Sequence, residues 1–97
     1  MQSLSFEWDP EKEAKNRRKH GISFVEAQTV FYDADARLIS DPDHSVSEDR
    51  FIMLGLSNRL RLLVVSHCYR RNSSVIRIIS ARRANKREQV TYKENVS

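Results

Sequence analysis

The sequence predicts an α+β domain: two N-terminal helices and one C-terminal helix packed around an antiparallel sheet. Three observations lead there. Residues 50–80 hold three strand patterns joined by polar turns of a few residues, too short for parallel crossovers. Two helical patterns precede them and a third follows. Only four of 97 residues are Gly or Pro, so the chain is neither disordered nor of low complexity.

Residues 3–8 alternate Leu4, Phe6 and Trp8 with polar neighbours, a short strand pattern. Asp9-Pro10 supplies an N-cap and a first-turn proline for a helix over 10–20, which Gly21 stops. Ala14 is its only aliphatic side chain. Ser23 and Glu26 form a capping box opening a helix over 24–32. Phe24, Ala27, Val30 and Phe31 line one face of that helix and should cover one face of the sheet. Residues 36–40 offer a strand, and 41–49 (DPDHSVSED) a loop with Asp-Pro as turn initiator. Strands are predicted over 50–57, 60–69 and 75–80, with turns at Asn58-Arg59 and 72–74. From Ala81 the pattern reads as a polar, basic helix. The uncovered sheet face is the natural place for a site.

A chain of this length holds one domain, spanning 1–97. The longest apolar runs, 51–54 and 62–65, fall far short of the ~18 residues of a membrane span. The first residues carry no signal-peptide pattern, and Cys68 is the single cysteine. A cytoplasmic, reduced setting without membrane is expected. Eleven of the 17 Lys and Arg residues lie in 50–97, nine of them Arg, against two of the 13 acidic residues. Such a basic half suits a polyanion such as nucleic acid, or serves as a solvated surface.

No phosphate-binding glycine loop, GxSxG, CxxC pair or HExxH occurs. His67 and Cys68 are neighbours on a strand and should face opposite ways, so with His44 they make no zinc site. Asp43-His44-Ser45 is explained by turn chemistry. A helix-turn-helix around Gly21 is disfavoured, because the would-be reading helix carries Glu26 and Asp33 but no Lys or Arg. Arg17-Arg18-Lys19-His20 closes the first helix, where the macrodipole favours cations. Lys19 and His20 could equally project toward a phosphate. Arg77 lies between apolar residues in mid-strand and requires an acid partner, such as Glu48, Asp49 or Glu88, or an anion-binding surface. His67 would share its face if the register allowed. Arg82 and Arg83 are expected at a helix start, where the dipole disfavours cations, and that points to an anion.

Phe6-x-Trp8-Asp9-x-x-Lys12-x-x-x-Asn16-x-x-Lys19-His20-Gly21-Ile22-x-Phe24-x-Glu26-Ala27 resembles the opening of the BrnT-type toxins, bacterial type II toxin–antitoxin ribonucleases. Asp43-His44-Ser45-x-x-Glu48-x-Arg50-Phe51 resembles their middle motif. Gly55, the 62–65 strand with His67, and Ile76-Arg77-Ile-Ile-Ser-Ala-Arg82-x-Ala84 with Glu88 and Tyr92 resemble their end. The resemblance implies a RelE-like fold and a metal-independent endoribonuclease with no cofactor. It also implies a BrnA-type ribbon-helix-helix antitoxin, operator DNA bound only through that antitoxin, and a hetero-oligomer with an antitoxin dimer.

A metal-free ribonuclease must align the RNA 2′-hydroxyl, take its proton and stabilise the phosphorane. Arg77 and Arg82 are the expected phosphate clamp, with Lys19 assisting. His20 or His67 would be acid or base, and Glu48 would orient a basic group or act as base. Arg50, Arg59, Arg61 and Arg83 complete the expected RNA contacts. The alternative is a catalytically inactive partner of a DNA-binding antitoxin in autorepression.

Overall fold

Asp9 and Gly21 bracket the first helix as their chemistry requires. In the computed structural model, which describes residues 4–39 and 50–96, helix α1 runs Pro10–His20. The Asp9 carboxylate accepts from the Glu11 N–H at 2.9 Å. Gly21 takes the left-handed conformation, φ 72°, that closes the last turn onto the Arg17 carbonyl. Ser23 caps α2 (Phe24–Thr29), accepting from the Glu26 N–H, and a 3-10 turn (Val30–Tyr32) completes the expected second helix.

Five strands form one sheet: β1 (Ser5–Glu7), β2 (Arg37–Ile39), β3 (Phe51–Leu56), β4 (Leu62–Arg70) and β5 (Val75–Arg83), in the order β1-β5-β4-β3-β2. β2 to β5 are antiparallel, and β1 pairs parallel with β5 in register Glu7↔Arg77. The α+β class stands, with this one parallel pairing. The expected loop over 41–49, including the 43–45 run and Glu48, lies outside the described residues.

Two corrections concern β5. Residues 81–83 were expected to be helical, but they continue the strand, and α3 spans Lys86–Val96. Ala81 pairs with Val65 on one side. On the other, the Asn16 side chain donates to the Ala81 carbonyl and accepts its N–H, at 2.9 and 3.0 Å. Asn16 thus stands in for a neighbouring strand where β1 has ended. Helix α3 begins instead at a reciprocal cap between Asn85 and Glu88. Arg82 and Arg83 therefore end a strand and do not occupy the first turn of a helix.

The second correction is register. His67 pairs with Ile78 and Cys68 with Arg77, so His67 and Arg77 point to opposite faces. A bulge opposite Ser66/His67 leaves Ile79 as an extra residue in β5. It lets Ile76, Ile78 and Ala81 all join the core despite their mixed spacing. The same slip sends Arg77 and Arg82 to the other face together.

Helix α2 and the 3-10 turn bury Phe24, Ala27 and Val30 against Leu63, Val65, Ile78 and Ala81. On the opposite face a smaller cluster of Ile52, Leu54, Val64 and Ala84 packs with Leu62 and Tyr92 of α3. Tyr92 donates to Asp33 at 2.6 Å, and Asp33 also accepts from the Leu56 N–H at 2.8 Å. One carboxylate thereby ties the 3-10 turn, β3 and α3. Burial opposes its charge, but these bonds prevail and hold its pKa below the ordinary value. Among the described residues, no helix is long and apolar enough to cross a membrane.

Candidate active site

Helix α3 covers only part of its sheet face. Beside it lies a shallow groove of about 430 Å³ lined by Lys12, Arg50, Cys68, Tyr69, Arg70, Arg77 and Ile79. Each residue arrives there for a local reason. Arg77 and Cys68 are cross-strand partners on the open face. Arg70 ends β4, and Arg50 immediately precedes β3. Lys12 comes from α1, which Asn16 fastens along the edge of β5.

Glu7 is the acid of this cluster. Its Oε2 accepts from Arg77 Nη1 at 2.6 Å and lies 3.1 Å from Arg70 Nε. The Arg77 hydrogen bond is the main reason its carboxyl is held below the usual range. Arg77 was expected to find Glu48, Asp49 or Glu88; its partner comes instead from the parallel strand. Lys12, Arg50, Arg70 and Arg77 thus bring four cationic side chains to the groove, two of them bound to Glu7, and guanidinium and ammonium groups are the donors a phosphate site uses.

A family model described as "Ribonuclease toxin, BrnT, of type II toxin-antitoxin system" matches residues 8–88. The chain belongs to the BrnT toxin family. Membership implies an RNA substrate and a protein antitoxin as partner. The solved structure of the Brucella abortus ribonuclease toxin BrnT is similar, at 23% identity and a TM-score of 0.66, over 87% of this chain and 100% of that one. At that identity the likeness establishes the fold. A comparison with curated proteins finds no match.

Against this BrnT frame the expected site residues scatter. Arg50 and Arg77 line the groove. Arg82 shares the open face with Arg77, but stands five residues away, roughly 16 Å along a strand. Its guanidinium grips Glu88 at 2.9 and 2.8 Å. Lys19 lies two turns beyond Lys12 on the same stripe of α1, and His20 ends that helix. Glu48 is outside the described residues.

His67 has 0% exposure and packs among Phe31, Phe51 and Tyr69 on the helix-covered face. Arg61 precedes β4, about 30 Å along the strand from Arg70. There it forks onto the buried Glu26 carboxylate, with Arg59 4.0 Å from the same group. Arg83 lines a separate cavity with Leu60, Tyr92 and Lys93.

Sequence reasoning gave no role to Lys12 and Arg70, two cations lining the groove, nor to Glu7, which contacts Arg70 and Arg77. Lys12 had a usable signal, since a cation in a first helical turn opposes the macrodipole. Glu7 and Arg70 had none without the β1–β5 pairing and the β4 register.

Proposed function

We propose that this chain is a metal-independent endoribonuclease that cleaves RNA by attack of the 2′-hydroxyl on the adjacent phosphate. The groove formed by Lys12, Arg50, Arg70 and Arg77 carries the reading. Four cations from α1, the start of β3, β4 and β5 converge where a phosphodiester could lie across the sheet. Guanidinium forks match phosphate oxygens and stabilise the charge of a phosphorane, the work a metal does elsewhere. Products are a 2′,3′-cyclic phosphate and a free 5′-hydroxyl. Cleavage inhibits translation and growth in the cytoplasm. A BrnA-type ribbon-helix-helix antitoxin neutralises the toxin, as a dimer that also carries the complex to operator DNA.

The test uses purified, antitoxin-free protein and RNA in EDTA, with and without ribosomes. Cyclic-phosphate ends from the wild-type chain, and their loss in Arg77→Ala protein with an unchanged circular dichroism spectrum, are expected. A folded wild-type chain that leaves RNA intact would mark it as the binding-only partner in autorepression. Full cleavage by Arg77→Ala would move the phosphate away from this groove.

A further inference from the structure

We propose that Glu7 is the general base of the cleavage, an assignment that rests on the ribonuclease reading above. Its carboxylate stands between Arg77 and Arg70, at 2.6 and 3.1 Å, the two guanidiniums best placed to hold a phosphate. The Glu7 side chain is 29% exposed, so solvent and substrate reach it. Both contacts fall on Oε2. An ionised carboxylate offers about four acceptor sites, which leaves capacity for a 2′-hydroxyl.

Other groups fit the role less well. Lys12, Arg50, Arg70 and Arg77 are cationic hydrogen-bond donors and offer no acceptor. His67 faces the core, and its ring is closed off by Phe31 and Tyr69. His20 lies eight residues beyond Lys12, roughly 12 Å along α1. Among the described residues, Glu7 is the carboxylate that contacts the groove's arginines Arg70 and Arg77.

The arginines hold Glu7 ionised in the free protein. An arriving phosphate competes for those guanidiniums and adds a negative charge beside the carboxylate. Both effects raise its proton affinity when a base is needed. The 2′-O–H proton passes to Glu7 as the 2′-oxygen bonds to phosphorus. The bond from phosphorus to the 5′-oxygen breaks, its electron pair stays on that oxygen, and water in the open groove supplies the proton. Arg77 and Arg70 bear the phosphorane charge throughout.

Single-turnover cleavage is measured across pH for wild type, Glu7→Gln and Glu7→Asp, together with affinity for a fully 2′-O-methylated RNA of the same sequence. Glu7→Gln is expected to cleave at least ~100-fold more slowly, to bind the methylated RNA as tightly as wild type or more so, and to lose the acidic limb of the pH profile. Glu7→Asp, with the carboxylate one methylene back, should be slower than wild type and keep that limb. If Glu7→Gln fails to fold, Glu7→Asp decides, and an unchanged rate without an acidic limb overturns the assignment. Undiminished cleavage by folded Glu7→Gln would overturn it while leaving the ribonuclease reading intact. Absence of cyclic-phosphate ends from wild type would overturn both.

Discussion

His67 is a titratable group placed wholly within the core. Nδ1 lies 3.1 Å from the Val65 carbonyl, which can only accept, so Nδ1 carries the hydrogen in the neutral ring. Nε2 then accepts from the Tyr69 hydroxyl at 3.2 Å. Burial is the larger influence and pushes the imidazole below its ordinary pKa of 6.5, against the opposing pull of the Val65 bond. The unfolded chain therefore binds a proton at His67 before the folded one does. Stability is fully present above about pH 6.5 and falls with decreasing pH, by at most about 1.4 kcal/mol per unit until the folded pKa is passed. Urea unfolding at pH 7.5 and 5.5 should reveal the loss, and His67→Phe should remove most of it. An equal loss in His67→Phe protein would place the titration elsewhere. Alternation along 60–69 groups Leu63, Val65, His67 and Tyr69 on one face. It could not tell which face the helices cover, and that choice separates a buried histidine from a catalytic one.

Elements were legible wherever a local device marks them. Asp9 and Gly21 place the ends of α1, and Ser23 places the start of α2, but the expected capping box is only half formed: Glu26 turns to Ser57 and Arg61 and not back to the Ser23 N–H. The path of β5 was not legible, because its continuation depends on Asn16, 65 residues away. The bulge at Ile79 is equally non-local: it reconciles the apolar set of one strand with the register of another. Gly55 shows how tightly these elements close. A Cβ there would lie 2.8 Å from Val30 Cγ1 and 2.9 Å from the Ala36 Cβ, so β3 and the 3-10 turn touch through the missing side chain. Gly55→Ala should destabilise the fold by about 1–3 kcal/mol in chemical denaturation. An unchanged midpoint would mean that the 3-10 turn can retreat without loss. Because Asp33, the anchor of Tyr92, directly follows that turn, the same variant should loosen α3.

At the scale of the molecule, the charge asymmetry of the sequence is partly spent within the fold. Acids of the first half meet arginines of the second: Glu7 with Arg70 and Arg77, Glu26 with Arg59 and Arg61. The basic half suggests a polyanion, but composition cannot separate cations engaged in folding from those facing a groove. Salt dependence can. Affinity for single-stranded RNA should fall with salt at a log–log slope of about −0.7 per phosphate neutralised. Lys12→Ala should flatten that slope by about 0.7, while Arg61→Ala should leave it unchanged and lower the thermal midpoint, since Glu26 loses its partner. A flattened slope in Arg61→Ala would bring RNA to the far end of β4.

The parallel pairing of β1 with β5 also sets an order of events during synthesis. Glu7 and Lys12 leave the ribosome early, but their groove partners Arg70 and Arg77 follow only after some sixty further residues, several seconds later at ~5–20 residues per second. Neither β1 nor α1 has its β5 edge to dock on before then. Nascent chains shorter than about 77 residues therefore carry none of the assembled groove. A chain released before the β4–β5 hairpin is made lacks Arg77 and the edge that β1 pairs with, so fragments ending short of residue 77 are expected to cleave no RNA.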